Sequence, residues 1–378
     1  MVAFSKVAVA AFAGLVAAHP GEKHDAHKLK REISARDNYA RAQALQARSI
    51  QRRAKKVENL RQKRGITGAA RKDKRDLADL QAWEAINHNQ TGVYNYDSST
   101  SPEDIFGANT SCILAPEVTD GPYYVVGEYL RSDVKESLYS EGVDTYLEVQ
   151  YIDVTTCEPI KNVAVDIWNA NATGVYSGIY TDGNYAADGL NSTYLRGVQL
   201  TDADGIVAFE TIFPGHYDGR AVHTHLLAHT NASVQCNGTV SSWDAKVAHI
   251  GQLFWDDALR AEVEATYPYT ENTQALTTND DDMWSIVQAD ETYDPLPQYI
   301  YLGPSIEDGL FAWIQIGING SADYTDDDYY SIAAYLDENG GHAESSSMGG
   351  DAGGDAGAGN GTAPSGTFSG TAPTGTAV

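Results

Sequence analysis

Basic residues are scarce over most of this chain. Beyond Arg75 only Arg131, Lys135, Lys161, Arg196, Arg220, Lys246 and Arg260 are basic, against 46 Asp and Glu, so 7 minus 46 leaves a formal charge of −39 there. Such a surface disfavours polyanions, and no nucleic-acid partner is expected. It also makes any one arginine in the region a candidate for a specific role. Cysteine is nearly absent too: Cys112, Cys157 and Cys236 are too few for a disulfide scaffold, and one bridge plus one leftover thiol is the simplest count, with Cys112–Cys157 favoured. No stretch has eighteen uninterrupted apolar residues, so no membrane span is expected and the mature protein should be soluble. The composition is nevertheless 42% hydrophobic over 378 residues, enough to build a substantial core.

The ends differ from the middle. Residues 1–18 have one lysine, an apolar run and small residues before His19, the layout of a secretory signal peptide. Eight Asn-x-Ser/Thr sequons, at Asn89, Asn109, Asn171, Asn191, Asn231, Asn237, Asn319 and Asn360, agree with export to the extracellular space. Residues 19–80 hold a basic, helix-favouring segment with dibasic pairs, readable as a solvated helical arm used in dimerisation or as a processed pro-segment. Its apolar positions, among them Leu45, Ile50, Val57 and Leu60, make only a weak stripe, so an exposed helix is expected. Residues 341–378, rich in Gly, Ser, Thr, Ala and Pro, read as a disordered tail.

Between them, residues 81–340 form the expected globular domain. Thr145 to Val154 alternates like a half-buried strand, and Val163 to Trp168, Gly205 to Ile212, His223 to His229, His249 to Trp255 and Phe311 to Ile318 are further strands between turn signals. Short strands without intervening helical periods predict a mainly β fold, an antiparallel β-sandwich with long loops, preceded by the basic helical arm. Pro268 to Gln298 reads as a long excursion, and the runs Asp280–Asp282 and Asp326–Asp328 as solvated acidic loops.

Chemistry concentrates at Pro214 to His225, PGHYDGRAVHTH, where Tyr217, Arg220, His223 and His225 fall within nine residues of a Pro-Gly turn. Histidines two apart on a strand share a face and can grip one metal ion. Two neutral imidazoles alone leave zinc, copper, iron and nickel open.

Four stretches carry a resemblance. CILAPEVTDGPYYV at Cys112 to Val125, DIWNANATGVYSG at Asp166 to Gly178, PGHYDGRAVHTH and IGQLFWDD at Ile250 to Asp257 occur in this order, and the chain resembles the intradiol ring-cleavage dioxygenases, especially their secreted fungal branch. The resemblance implies a mononuclear non-haem Fe(III) held by Tyr176, Tyr217, His223 and His225. Two phenolates are hard anionic donors that favour the ferric state. It further implies a phenolic diol and O2 as substrates, ring cleavage between the two hydroxylated carbons, and a muconic-type diacid as product. Tyr217 matches the ligand that detaches and accepts a proton, Arg220 the arginine that steadies carbanionic charge, and Gln252 a glutamine close to the reacting centre. Pro122, Tyr123 and Tyr124 are candidates for the pocket wall, and Tyr180 is a competing ligand candidate. Two other classes stay open: a non-catalytic extracellular β-sandwich binding module, and a zinc hydrolase using His223 and His225 with a third ligand from His216, His229 or His249.

Overall fold

The computed structural model describes residues 45–46, 48–65, 83–84, 86–90, 112–136, 140–180, 186–289 and 293–344. The expected signal peptide, most of the tail, and the sequons at Asn109 and Asn360 lie outside the described residues.

Two sheets form the body. The first contains β2 (Asp144–Asp153), β3 (Glu158–Pro159), β6 (Ile206–Ile212), β11 (Gln298–Tyr301) and β12 (Leu310–Ile318). The second runs in the order β10 (Lys246–Phe254), β7 (His223–Thr230), β4 (Ala164–Trp168), β5 (Arg196–Leu200). Alternation across the pleat explains their packing. Leu147, Val149 and Tyr151 of β2, Phe209 of β6 and Ile314 of β12 share one hydrophobic core with Val165 and Ile167 of β4, Leu226 of β7 and Leu253 of β10. The mainly β sandwich is therefore present. Among the described strands of these two sheets, β12 breaks the antiparallel pattern by running parallel to β2, in the register Leu310↔Thr145. The excursion after β10 carries α2 (Asp257–Glu264) and α3 (Met283–Gln288) before the chain re-enters the first sheet through β11.

The outer face of the first sheet departs most from expectation. Helix α1 (residues 48–63) is docked there rather than exposed, with Ile50, Val57 and Leu60 buried against Tyr146, Ile300, Leu302, Phe311 and Trp313. The stripe looks weak because basic residues complete it. Arg53 Nε donates to Glu148 Oε1 at 2.7 Å, and Arg52 bonds both oxygens of the same carboxylate. Helix cover also explains why β2 is buried on both faces: Glu148, only 2% exposed, and Gln150, bonded by Ser49, occupy its outward positions. Although burial opposes its charge, the adjoining Arg53 and Arg52 hold the Glu148 carboxyl below the usual range. A Glu148→Ala protein should lose about 3–5 kcal/mol, since truncation strands a buried guanidinium. Denaturant unfolding measures the loss, and trypsin should then cut within α1, where the native helix resists.

Segment 86–90 is held against β11 by backbone bonds between Gln90 and Tyr299 and between Tyr299 and His88, and by His88 Nε2, 2.8 Å from Asp294 Oδ2. Burial works against charging His88, but the Asp294 carboxylate outweighs it and raises the imidazole above its ordinary 6.5. A raised histidine contributes stability below its unfolded value and loses it as pH climbs through the folded one. Thermal stability should therefore decline as pH rises above the imidazole's ordinary 6.5 and through its raised folded value, with a component that His88→Gln abolishes, as melting curves across pH would show.

The outer face of the second sheet is closed differently. β1 (Val125–Val126), β13 (Ala334–Asp337) and β14 (Gly340–Ala343) form a small sheet there, and Tyr324, Tyr330, Ile332, Tyr335 and Leu336 pack over Tyr123, Tyr124, Trp168, Tyr176 and Tyr217. This cover is not among the strands expected from the sequence, of which Phe311 to Ile318 is the last in the chain. Cys112 and Cys157 form the disulfide, and Cys236 is free and exposed. The remaining short hairpin is β8 (Ser233–Val234) with β9 (Val240–Ser241).

Candidate metal centre

Strand alternation puts His223 and His225 of β7, Trp168 of β4 and Gln252 of β10 on the outer face of the second sheet, where His225 pairs with both Trp168 and Gln252. The tyrosines come from two loops. Tyr176 follows a turn in which Asn171 Oδ1 accepts from Thr173 N, Thr173 Oγ1 and Val175 N. Tyr217 opens the turn that reverses the chain before β7, where Arg220 N bonds the Tyr217 carbonyl. The two loops touch backbone to backbone. A Cβ at Gly174, itself at φ +78°, would collide with the His216 carbonyl, and one at Gly215 with the Ala172 carbonyl. Asn272 Nδ2 donates to His216 O at 2.8 Å and Gln274 Nε2 to Thr173 O at 2.8 Å, pinning both loops to the excursion.

These elements bring four side-chain atoms together. His223 Nε2 lies 2.9 Å from His225 Nε2, 3.2 Å from Tyr217 Oη and 3.5 Å from Tyr176 Oη. His223 Nδ1 donates to the Ala221 carbonyl at 2.6 Å, which leaves its Nε2 as a bare lone pair facing the cluster. His225 is fixed by Trp168, stacked at 4.6 Å and 4°. Burial, followed by the nearby Arg220 charge, drops His223 to about 3; burial and His223 hold His225 far below its ordinary range. Both imidazoles are thus neutral and able to ligate. Burial pushes both phenols up, with Arg220 partly opposing the rise at Tyr217.

The donor set fits a cation. One lone pair on His223 Nε2 cannot accept protons from two phenols and an imidazole at once, whereas a single metal ion satisfies all four groups. Two oxygens and two nitrogens also match a hard, high-charge ion better than a soft one. The competing candidate Tyr180, 58% exposed, stands outside the cluster. A third zinc ligand is not to hand either: His216 faces Glu264 and Gln274 O, His229 faces Tyr124, and His249 faces Glu117. Among the described residues no group of three or more His, Cys, Asp and Glu is placed to hold a metal.

Around the cluster, Arg220 Nη2 donates to Gln252 Oε1 at 2.5 Å and Arg220 Nε to Asp282 Oδ2 at 2.8 Å. Gln252 is clamped further, its Nε2 on Thr119 O and its backbone N on Gln288 Oε1. Asp282 belongs to a run expected to form a solvated acidic loop, yet it is 2% exposed. Its carboxylate also accepts from Ala221 N and, as N-cap of α3, from Trp284 N and Ser285 N. Only the flanking Asp280 and Asp281 are exposed. No local signal marks Asp282, because its partner lies 62 residues away. Tyr123 packs against Tyr176 at 4.7 Å with the rings tilted by 36°, and meets Tyr217 edge-on at 6.2 Å, after Pro122 in a short turn. Tyr124 belongs instead to the wall behind Trp168: it is fully buried, 5.3 Å from that ring, with its hydroxyl on His229 and Ser242. Tyr123 closes the short 3-10 turn Gly121–Tyr123, whereas Tyr124 begins the extended backbone that leads into β1, and this change of backbone separates the two rings.

The family model for dioxygenases matches residues 119–238, which include Tyr176, Tyr217, Arg220, His223 and His225. No curated protein matches the chain. Among solved structures, an intradiol ring-cleavage dioxygenase from Tetranychus urticae is 30% identical, over 56% of this chain and 97% of its own, with a TM-score of 0.46. The dioxygenase domain of a carbohydrate-binding fusion protein from Streptomyces is 21% identical over 54% and 97% (TM-score 0.33), and catechol 1,2-dioxygenase from Acinetobacter is 18% identical over 54% and 62% (TM-score 0.33). With that family-model match and 30% identity across nearly the whole of one relative, the chain belongs to the intradiol ring-cleavage dioxygenase family.

Proposed function

We propose that this protein is an exported, ferric-iron-dependent enzyme that cleaves a catechol-type diol between its two hydroxylated carbons. The carrying observation is the convergence of Tyr176 Oη, Tyr217 Oη, His223 Nε2 and His225 Nε2 on one point. These four residues would hold the ion. When bound, Fe(III) supplies a Lewis acid and electron acceptor that makes an ionised diol reactive toward O2.

The chain's own groups account for the rest. Tyr217 Oη, ionised while serving as a ligand, takes a proton from the entering diol, so that charge at the site stays balanced. Arg220, fixed by Asp282 and Gln252, places a permanent positive charge beside the same cluster and stabilises negative charge developing on the ring. Because both partners hold the guanidinium in advance, little reorganisation accompanies the reaction. Tyr123 and the buried aromatic surround limit water near the reacting atoms. Overall, one diol and one O2 give one diacid: the carbon–carbon bond breaks and both oxygen atoms enter the product. Export is supported by the leader-like residues 1–18, by exposed sequons at Asn191, Asn231, Asn237 and Asn319, and by the Cys112–Cys157 bridge.

Catechol turned over in labelled dioxygen tests the reaction. A ring-opened diacid carrying both labelled atoms is expected. A product cleaved beside the diol, or a product without label, would overturn the reading.

A further inference from the structure

Large exposed apolar side chains gather beside this site. Helix α3 exposes Met283 at 62% and Ile286 at 54%, with Val287 also open, and Tyr329 is 51% exposed. A short surface helix normally turns polar residues outward, and nothing in the packing requires this face to be apolar. Its position is more telling. The N-cap of α3 is Asp282, the residue that anchors Arg220, and its last residue, Gln288, holds the backbone of Gln252. On the opposite side, the Tyr329 carbonyl accepts from Asp120 N, and Gly121 lies so close to His225 that a Cβ there would sit 3.5 Å from the ring. Trp284, packed against Ala221 and Phe254, meets the Tyr329 ring edge-on at 5.2 Å and 81°, so the two walls of the site join at this aromatic pair. Carboxylates border it, with Asp280, Asp281, Asp326 and Asp328 exposed.

We infer that Trp284, Tyr329 and the apolar face of α3 form a shelf that binds a second, uncharged aromatic ring attached to the catechol. The inference rests on the ring-cleavage reading above and names its substrate class: aryl-extended neutral catechols rather than catechol itself or carboxylated catechols. A ring laid on the shelf gains edge or offset contacts with Tyr329 and Trp284 and covers Met283 and Ile286. The surrounding Asp side chains repel an anionic substituent.

The test compares kcat/KM for catechol and for 4-(2-phenylethyl)catechol, in the wild type and in Tyr329→Ala and Met283→Ser proteins. Both side chains are exposed and the Tyr329 bond to Asp120 is made by backbone, so both variants should fold, which circular dichroism checks. The wild type should favour the extended substrate about tenfold, the gain lying in KM, and Tyr329→Ala should remove most of that preference. Equal kcat/KM for the two substrates, or a preference that survives both substitutions, overturns the shelf and leaves ring cleavage standing. A wild type that cleaves neither diol overturns the reaction and the shelf with it. A preference unchanged in Tyr329→Ala, together with dissociation of a dimer, would assign the patch to a second copy of the chain and likewise overturn the inference.

Discussion

A His225→Ala protein should fold and yet lose its metal, with kcat/KM falling at least about a thousandfold, because both Lewis-acid activation and the organised site depend on the complete donor set. His225 is held by stacking on Trp168, and its removal touches neither the Arg220–Asp282 pair nor the Ala221 bond of His223. The loss should therefore appear in metal content and activity with native circular dichroism. Tyr217→Phe separates a second contribution. It retains the ring packing against Tyr123 and Tyr176 while deleting one of the two phenol oxygens. This variant should bind less iron and change visible absorption; full iron with unchanged absorption would sink the assignment of Tyr217 as a ligand.

The second large effect is expected at Asp282. One carboxylate pairs with Arg220, accepts from Ala221 N and caps α3. Asp282→Ala strands a largely buried guanidinium and removes a helix cap, for an expected loss of about 3–5 kcal/mol. Arg220 would also lose its fixed position next to Tyr217 and Gln252, so kcat/KM should fall about a hundredfold, in the range seen when a preorganised charge is removed. Asp282→Asn keeps polar contacts to Ala221 N and the α3 amides but loses the charge, and should fall between. The exposed neighbour supplies the control: Asp281→Ala should lie within about 0.5 kcal/mol of wild type. Equilibrium unfolding and steady-state kinetics on the three variants separate structural from electrostatic effects. If Asp282→Asn matches Asp282→Ala in stability while keeping full activity, the carboxylate charge has no part in positioning Arg220.

What could be read from the sequence follows from how local each feature is. The His223/His225 pair was legible because a strand's two-residue period puts both on one face, and Tyr217 and Arg220 lie in the turn that feeds that strand. The longer strands β2, β4, β6, β7, β10 and β12 were legible for the same reason, through alternation and turn residues, whereas β3, β5 and β11 were not among those expected. Tyr176 and Gln252, distant from that turn, were expected only through the resemblance, and most other features built by distant segments were not legible. Asp282 sat in a run of three identical acids, and only the fold separates the buried one from the two in water. Helix α1 reads as exposed when Arg52 and Arg53 are taken as solvated, whereas their carboxylate partner Glu148 lies 96 and 95 residues further along the chain, in β2. The parallel pairing of β12 with β2 and the cover formed by β13 and β14 likewise depend on where a long excursion returns. Tyr124 illustrates the limit within a motif: its neighbour Tyr123 faces the donor cluster, and one residue's shift turns Tyr124 to the His229 side.

The most direct test is to measure metal in the purified protein and record its visible spectrum before and after catechol is added under argon. Near-stoichiometric iron with a red-brown absorption from phenolate-to-ferric charge transfer, shifting as the diol binds, is the predicted result. A colourless protein containing zinc or no metal, unchanged after incubation with iron, would contradict the account.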